Sequence, residues 1–389
     1  MRCSKLALAF ALSVIGATVS SARTSEWPLA RVFIELDGHK RLSVRRTSFQ
    51  AKPNGETWRG EIEGTGEPVV LMRWKDQRVS GMFAYRGQTY AIDRLASTCG
   101  QVRAIAAANP QKDRSSAATT HSDVGNSNLA SRALTAKLRA RQPPQALEAI
   151  APEQAVFAPL SLERREELAA KKVSIDVMVL YTRKAASKYP DIETDLIEHA
   201  IAEANLSFVN SGIGNIGLRL AHSQEIGYVE SGEHFEHLYH MVDGVEAFTN
   251  VKALRNAKRA DVVVLIVDDA SSCGLATRVA ADAEEAFAVV HHACAALTYS
   301  VPHEIGHIIG ARHERALDEG ASPFSYGHGF VNGGKWRDIM SYRSSCNGCP
   351  RLPLWSNPTI RVNGEPAGSV YADNARVLLE QAERVANFR

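Results

Sequence analysis

The stretch His303-Glu304-Ile-Gly-His307-Ile-Ile-Gly310-Ala-Arg-His313 constrains this chain more than any other. On a helix, residues four apart share a face, so His303 and His307 aim their imidazoles at one point. Glu304 sits one position along, within reach of a water held at that point. Gly310 stands three residues past His307, where a glycine can take positive φ and turn the chain sharply. That turn brings His313 back as a third nitrogen. Three neutral imidazoles and one open position describe a catalytic Zn2+ site, since a structural site has four protein ligands. Zinc lowers the pKa of bound water toward about 7. Glu304 is then the expected general base, taking the proton as water attacks a peptide carbonyl and returning it to the leaving amine. The plain alternative is a helix whose surface histidines happen to match.

The start of the chain predicts the compartment. Arg2 and Lys5 precede the apolar run Leu6 to Val19, and Ser20-Ser21-Ala22 has the small residues of a cleavage site. The run is short of the roughly 20 apolar residues that span a bilayer, so a signal peptide over 1–22 is expected, not a membrane anchor. Cys3 precedes the run, which speaks against a lipoprotein. The cysteines agree with export. Cys99 stands alone in the N-terminal half, and Cys273, Cys294, Cys346 and Cys349 allow three pairings. Proximity favours Cys346–Cys349 and elimination then leaves Cys273–Cys294. A Cys-x-x-Cys also serves as a redox pair or half a zinc knuckle.

A chain of 389 residues exceeds one ordinary domain, so two folded units with connecting segments are expected. The formal net charge of +2 argues against a dedicated nucleic-acid binder. From Arg31 to Ile92 short alternating runs broken by turns predict antiparallel strands, a β-rich module over 23–103 with no chemistry of its own. From about Ala104 to Gln145 composition shifts to Ala, Ser, Thr, Asn, Gln and Arg, and residues 104–165 read as a linker. Module and linker together suit a pro-region removed by proteolysis and acting as a possible inhibitor. Residues 166–389 have α/β (α+β) character. Val173 to Tyr181, Ile216 to Leu220, Asp261 to Asp268 and Phe287 to Val290 read as strands, and Asp191 to Asn210 and Val245 to Lys258 as helices.

Downstream, Ile339-Met340-Ser341-Tyr342 lies 27 residues past His313. The elongated histidine motif followed by this Met-turn resembles the metzincin clan of zinc metallopeptidases. Tyr326-Gly-His-Gly-Phe330, Cys349-Pro-Arg-Leu, Trp355-Ser-Asn-Pro358 and Asp373-Asn-Ala-Arg376 narrow the resemblance to bacterial peptidyl-Asp metalloendopeptidases, over roughly Val173 to Arg389. Glu314 departs from the Asp expected after the third ligand in those relatives.

The resemblance implies a catalytic domain with a twisted mixed sheet, an active-site helix near Ser300 to Gly310 and a mostly irregular lower half. It implies one Zn2+ on His303, His307 and His313, the base Glu304, peptide or protein substrates, and cleavage on the N-terminal side of aspartate. Nothing in the sequence specifies calcium. Met340 would floor the imidazoles. Tyr342 would approach the zinc and then the oxyanion, or else be an ordinary buried tyrosine. An S1′ pocket for aspartate needs a fixed cation, with Arg343 and Arg351 as candidates and Arg337 behind them. Cys99 resembles the thiol of matrixin-like cysteine switches only in its Cys-Gly pair, and a loose thiol is the alternative.

The strand Phe287 to Val290 is expected to offer an exposed edge to extended substrate. His234, His237 and His240 are read as decoration on an exposed helix. His291 and His292 are read as pointing to opposite faces of a strand end. Two rivals are an exported zinc-binding protein without turnover and a metzincin without acidic preference.

Overall fold

The computed structural model describes residues 30–36, 40–52, 55–74, 79–86, 88–92 and 102–105 in the N-terminal region, then 159–346 and 348–389. The signal segment, Cys99 and the linker from 106 to 158 lie outside the described residues. The chain divides into two compact units, one centred on the N-terminal strands and one carrying the histidine motif.

The first unit is an antiparallel meander. Strands β1 (Arg31–Leu36), β2 (Lys40–Lys52), β3 (Gly55–Ile62), β4 (Pro68–Trp74), β5 (Val79–Tyr85), β6 (Gln88–Ile92) and β7 (Val102–Ile105) lie in sequence order. Alternation fixes its face, because a strand presents every second side chain to the same side. Val32, Ile34, Leu42, Val44, Trp58, Ile62, Val69, Leu71, Phe83, Tyr85 and Ile92 make one core. The register sets Val44 opposite both Val32 and Ile62, and Val69 opposite Phe83. The strands continue through β7, past the expected end near Ile92.

The second unit is built on a mixed five-stranded sheet. It opens with α1 (Leu162–Ala170), capped by the Ser161 hydroxyl, a few residues before the expected start at 166. Next come β8 (Val173–Thr182) and α2 (Arg183–Ala186), then a π-helical turn at Glu193–Ile197 in place of the first helical turn expected from Asp191. They are followed by α3 (Glu198–Asn210), β9 (Ile216–Ile226), α4 (His234–Asp243), α5 (Val251–Ala257) and β10 (Val262–Val267). The single helix expected over Val245 to Lys258 is broken: a short 3-10 turn at Glu246–Phe248 starts at positive φ, and α5 restarts after Asn250. The remaining strands are β11 (Gly274–Ala276) and β12 (Phe287–His291), and the sheet order is β11-β12-β10-β8-β9.

Strand β10 pairs in parallel with β8 and β12, and its Val-Val-Val-Leu-Ile-Val run is buried throughout. A continuous apolar run is what a parallel strand covered on both faces requires. The exposed edge expected at β12 is covered: β11 pairs with it antiparallel and takes the edge position. Beyond the sheet come α6 (Ser300–Ile309), the short pairs β13 (Val331–Asn332) with β14 (Trp336–Arg337) and β15 (Asn357–Val362) with β16 (Glu365–Ala367), and α7 (Asn374–Val385). Disulfides join Cys273 to Cys294 and Cys346 to Cys349. Among the described residues no helix is long and apolar enough to cross a membrane.

Candidate active site

Helix α6 carries the first two histidines and packs against β11, β12, α3 and α7. Gly310 ends it with φ of +139°, a conformation that a side chain would strain and that turns the chain toward His313. A Cβ there would also meet the Phe324 ring at 2.6 Å. The third imidazole then stands over the helix, its Nε2 lying 3.2 Å from that of His303 and 3.0 Å from that of His307.

The tautomers follow from the partners. His303 Nδ1 lies 2.8 Å from the Ile339 carbonyl and His307 Nδ1 lies 2.9 Å from the Ala311 carbonyl. A carbonyl only accepts, so both Nδ1 atoms carry the proton and both Nε2 atoms carry a lone pair. Burial pushes His307 down to about 4 and His303 and His313 well below their ordinary value, so at neutral pH the rings are uncharged. Lone pairs facing one another about 3 Å apart call for a cation among them. Among the described residues no other three His, Cys, Asp or Glu side chains gather their ligand atoms within 4.8 Å. The donor set fits zinc, with His303, His307 and His313 as the residues that would hold it.

Glu304 is buried beside this centre, against Gly274 of the edge strand. A Cβ at Gly274 would stand 2.8 Å from Glu304 Cγ and 2.9 Å from its Cδ, so only glycine leaves the carboxylate its place. Met340 is fully buried below the helix, and a Cβ at Gly306 would lie 3.3 Å from its sulfur and 2.5 Å from the Trp355 ring. The thioether and indole are thus a floor on which α6 rests directly. Asp338 holds that floor: it accepts from the Ser341 hydroxyl at 2.6 Å and the Ser356 amide at 3.0 Å. Burial pushes its carboxyl up to about 7.

The Tyr342 ring lies 4.5 Å from that of His313. Its amide donates to Glu314 at 3.2 Å, and the Ser345 hydroxyl donates to the same carboxylate. Glu314 therefore ties the residue after the third ligand to the Met-turn, and burial raises its pKa. Arg343 is exposed, Arg351 half-buried and Arg337 buried.

Residues 326–330, 355–358 and 373–376 converge on the main chain around His313. His328 Nδ1 donates to the His313 carbonyl at 2.9 Å. The Ser356 hydroxyl donates to the His328 carbonyl at 2.6 Å and accepts from the Asn374 amide at 2.9 Å. The Asn374 side chain accepts from the Arg312 N–H at 3.3 Å and donates to the Arg312 carbonyl at 3.1 Å. These residues touch no reacting group, and they set where the third ligand stands.

Two other histidine groups depart from expectation. His234 and His237 are buried, not displayed on an exposed helix: His234 Nδ1 lies 2.8 Å from Asp269 Oδ2, and the Tyr228 hydroxyl lies 3.0 Å from His237 Nδ1. His291 and His292 do not diverge to opposite faces; both are buried with ring centroids 4.5 Å apart. The partners of His234, His237 and His292 lie in other elements or loops, which is why spacing alone misplaces them.

Comparison with known proteins bears on the unit that carries this site. The family model Reprolysin_5, metallo-peptidase family M12, matches residues 171–356. The chain is 42% identical over 218 residues to a peptidyl-Asp metalloendopeptidase of Xanthomonas campestris, covering 56% of this chain and 52% of that protein. It is 41% identical over 222 residues to one of Stenotrophomonas maltophilia, covering 56% of this chain and 53% of that protein. A peptidyl-Asp metalloendopeptidase of Pseudomonas fragi is 34% identical over 191 residues, 48% of this chain and 100% of its own length. The chain belongs to this metallopeptidase family. It spans about half the length of the first two relatives. The family match begins at residue 171, so it bears on the unit that holds the histidines and not on the N-terminal sheet.

Proposed function

We propose that this chain is an exported zinc-dependent endopeptidase that cuts on the N-terminal side of aspartate. The observation that carries the proposal is the convergence of three buried imidazole Nε2 atoms beside a buried glutamate. A zinc ion held there supplies Lewis acidity toward the scissile carbonyl and lowers the pKa of a water. Glu304 takes the proton from the attacking water and returns it to the leaving amine. Tyr342, on the ring of His313, donates its hydroxyl to the oxygen that gains charge. Met340 and Trp355 fix the height of α6, so the ligands and the base keep their spacing through the reaction. The metzincin type of catalytic domain is part of this reading, and its support is the elongated motif followed by a buried Met340.

The N-terminal meander and the segment after it fit a pro-region that is removed on maturation and holds the enzyme latent until then. Cys99 is its candidate blocking thiol. The segment 1–22 directs export, and the two disulfides suit an oxidising destination. The aspartate preference rests on the name shared by the relatives.

Digestion of a peptide library, reading the residue that follows each cut, tests substrate and reaction together. Wild-type protein should cut before aspartate. Glu304→Gln should keep its zinc and lose turnover by about 10²- to 10⁴-fold. Undiminished turnover in that variant would remove the general base from the account.

A further inference from the structure

The three arginines near the Met-turn are held in different ways. Arg337 is buried, its Nη1 donating to the Ser341 carbonyl at 2.7 Å and its Nε to the Cys349 carbonyl at 3.4 Å. Arg343 is exposed at the head of the turn closed by Cys346–Cys349. Arg351 is half-buried, and a strand-like bridge to Arg337 sets it beside the segment that carries Met340. Its Nη1 donates to the Thr298 carbonyl at 2.7 Å and its Nη2 to the Ser341 carbonyl at 3.1 Å. Thr298 lies two residues before α6, and Ser341 directly follows Met340. The fork is therefore fixed between the start of the metal-site helix and the floor beneath it. Two carbonyl partners fix the plane of its guanidinium.

We propose that Arg351 is the specificity residue that recognises the side-chain carboxylate of the substrate residue following the cut bond. The proposal rests on the peptidase reading above and deepens it. With the scissile carbonyl at the imidazoles, the next residue begins about 3.8 Å further along the peptide. Its side chain then falls toward the segment that follows Met340, where the Ser341 carbonyl holds the Arg351 fork. Aspartate there gains a charge-assisted hydrogen bond that asparagine of the same shape does not.

The test is the ratio of kcat/KM for peptides that differ only in Asp or Asn after the cut. Taken within each protein, the ratio is independent of how much of it is active. Wild type should favour Asp, and Arg351→Gln should lower the ratio about 10- to 100-fold. Arg351→Lys keeps charge without the fork and should lower it less. Zinc content and melting temperature of the same preparations report folding. An unchanged ratio in Arg351→Gln overturns the proposal, and so does a collapse confined to Arg343→Gln. Wild-type protein that cuts both peptides equally also overturns it and leaves the zinc peptidase reading standing. Wild-type protein that cuts neither, nor any other peptide, contradicts that reading itself.

Discussion

His303, His307 and His313 on one hand, and His234, His237, His291 and His292 on the other, are all buried imidazoles of the same unit, yet only the first three bring ring nitrogens together. In the first group His303 and His307 turn Nδ1 to main-chain carbonyls, so each Nε2 keeps a lone pair aimed at the shared point. In the second group His234 and His292 meet carboxylates and His237 meets a phenol. His234 meets Asp269 at 2.8 Å, His292 meets Asp268 at 3.0 Å, and Tyr228 lies between His237 and His240. A carbonyl and an ionised carboxylate both only accept, so each fixes the proton on the ring nitrogen it meets; what separates the two groups is whether the opposite nitrogens face one point. Number and burial do not make a metal site; directed convergence does.

The largest expected contrast comes from deleting one ring in each group. His307→Ala should lose zinc and at least about 10³-fold of peptide turnover. His237→Asn should keep one zinc per chain. Metal analysis of the two purified variants checks this, and equal loss in both would erase the distinction.

Next in size is Tyr342→Phe, which should lower kcat by about 10²-fold with zinc retained. Unchanged turnover would make Tyr342 an ordinary buried tyrosine. Asn374→Ala should follow, because it frees the main chain at Arg312 beside the third ligand. Competition with a chelator is expected to show zinc affinity weakened about 10- to 100-fold. An affinity equal to wild type would mean that His313 is held without that brace.

The smallest effect is on stability. Burial pushes His291 down to about 4 from an ordinary value of 6.5. The unfolded chain therefore binds a proton that the folded chain resists. The contribution is fully present above pH 6.5 and fades as pH falls through about 4. Urea unfolding of zinc-loaded protein between pH 7 and 4 should show a shallower loss in His291→Asn than in wild type. Identical slopes would place the titration elsewhere.

The same contrast explains what was legible in the sequence. The histidine motif is local: helical period and one glycine place all three ligands, so Ser300–Ile309 and the turn at Gly310 could be read directly. The all-apolar run of β10 was equally plain, since burial on both faces leaves no polar period to confuse. Strand β12 was placed at an edge because β11 is only three residues long, too short to leave a pattern. His234 and His237 looked exposed because Asp269 and Tyr228, which satisfy them, lie in other elements. Asp338 and the space at Gly274 carry no local signal, since each matters only through residues brought near by the fold. Asn374 stood inside a flanking motif, but its hold on Arg312 spans 62 residues.

X-ray absorption at the zinc edge of the purified protein tests the central claim most directly. The account predicts three imidazole nitrogens at about 2.0–2.1 Å and one light-atom neighbour at the open position. That pattern should lose one imidazole, or the metal altogether, in His313→Ala and stay intact in His237→Asn. Sulfur neighbours, four protein ligands, or a pattern untouched by loss of His313 would contradict it.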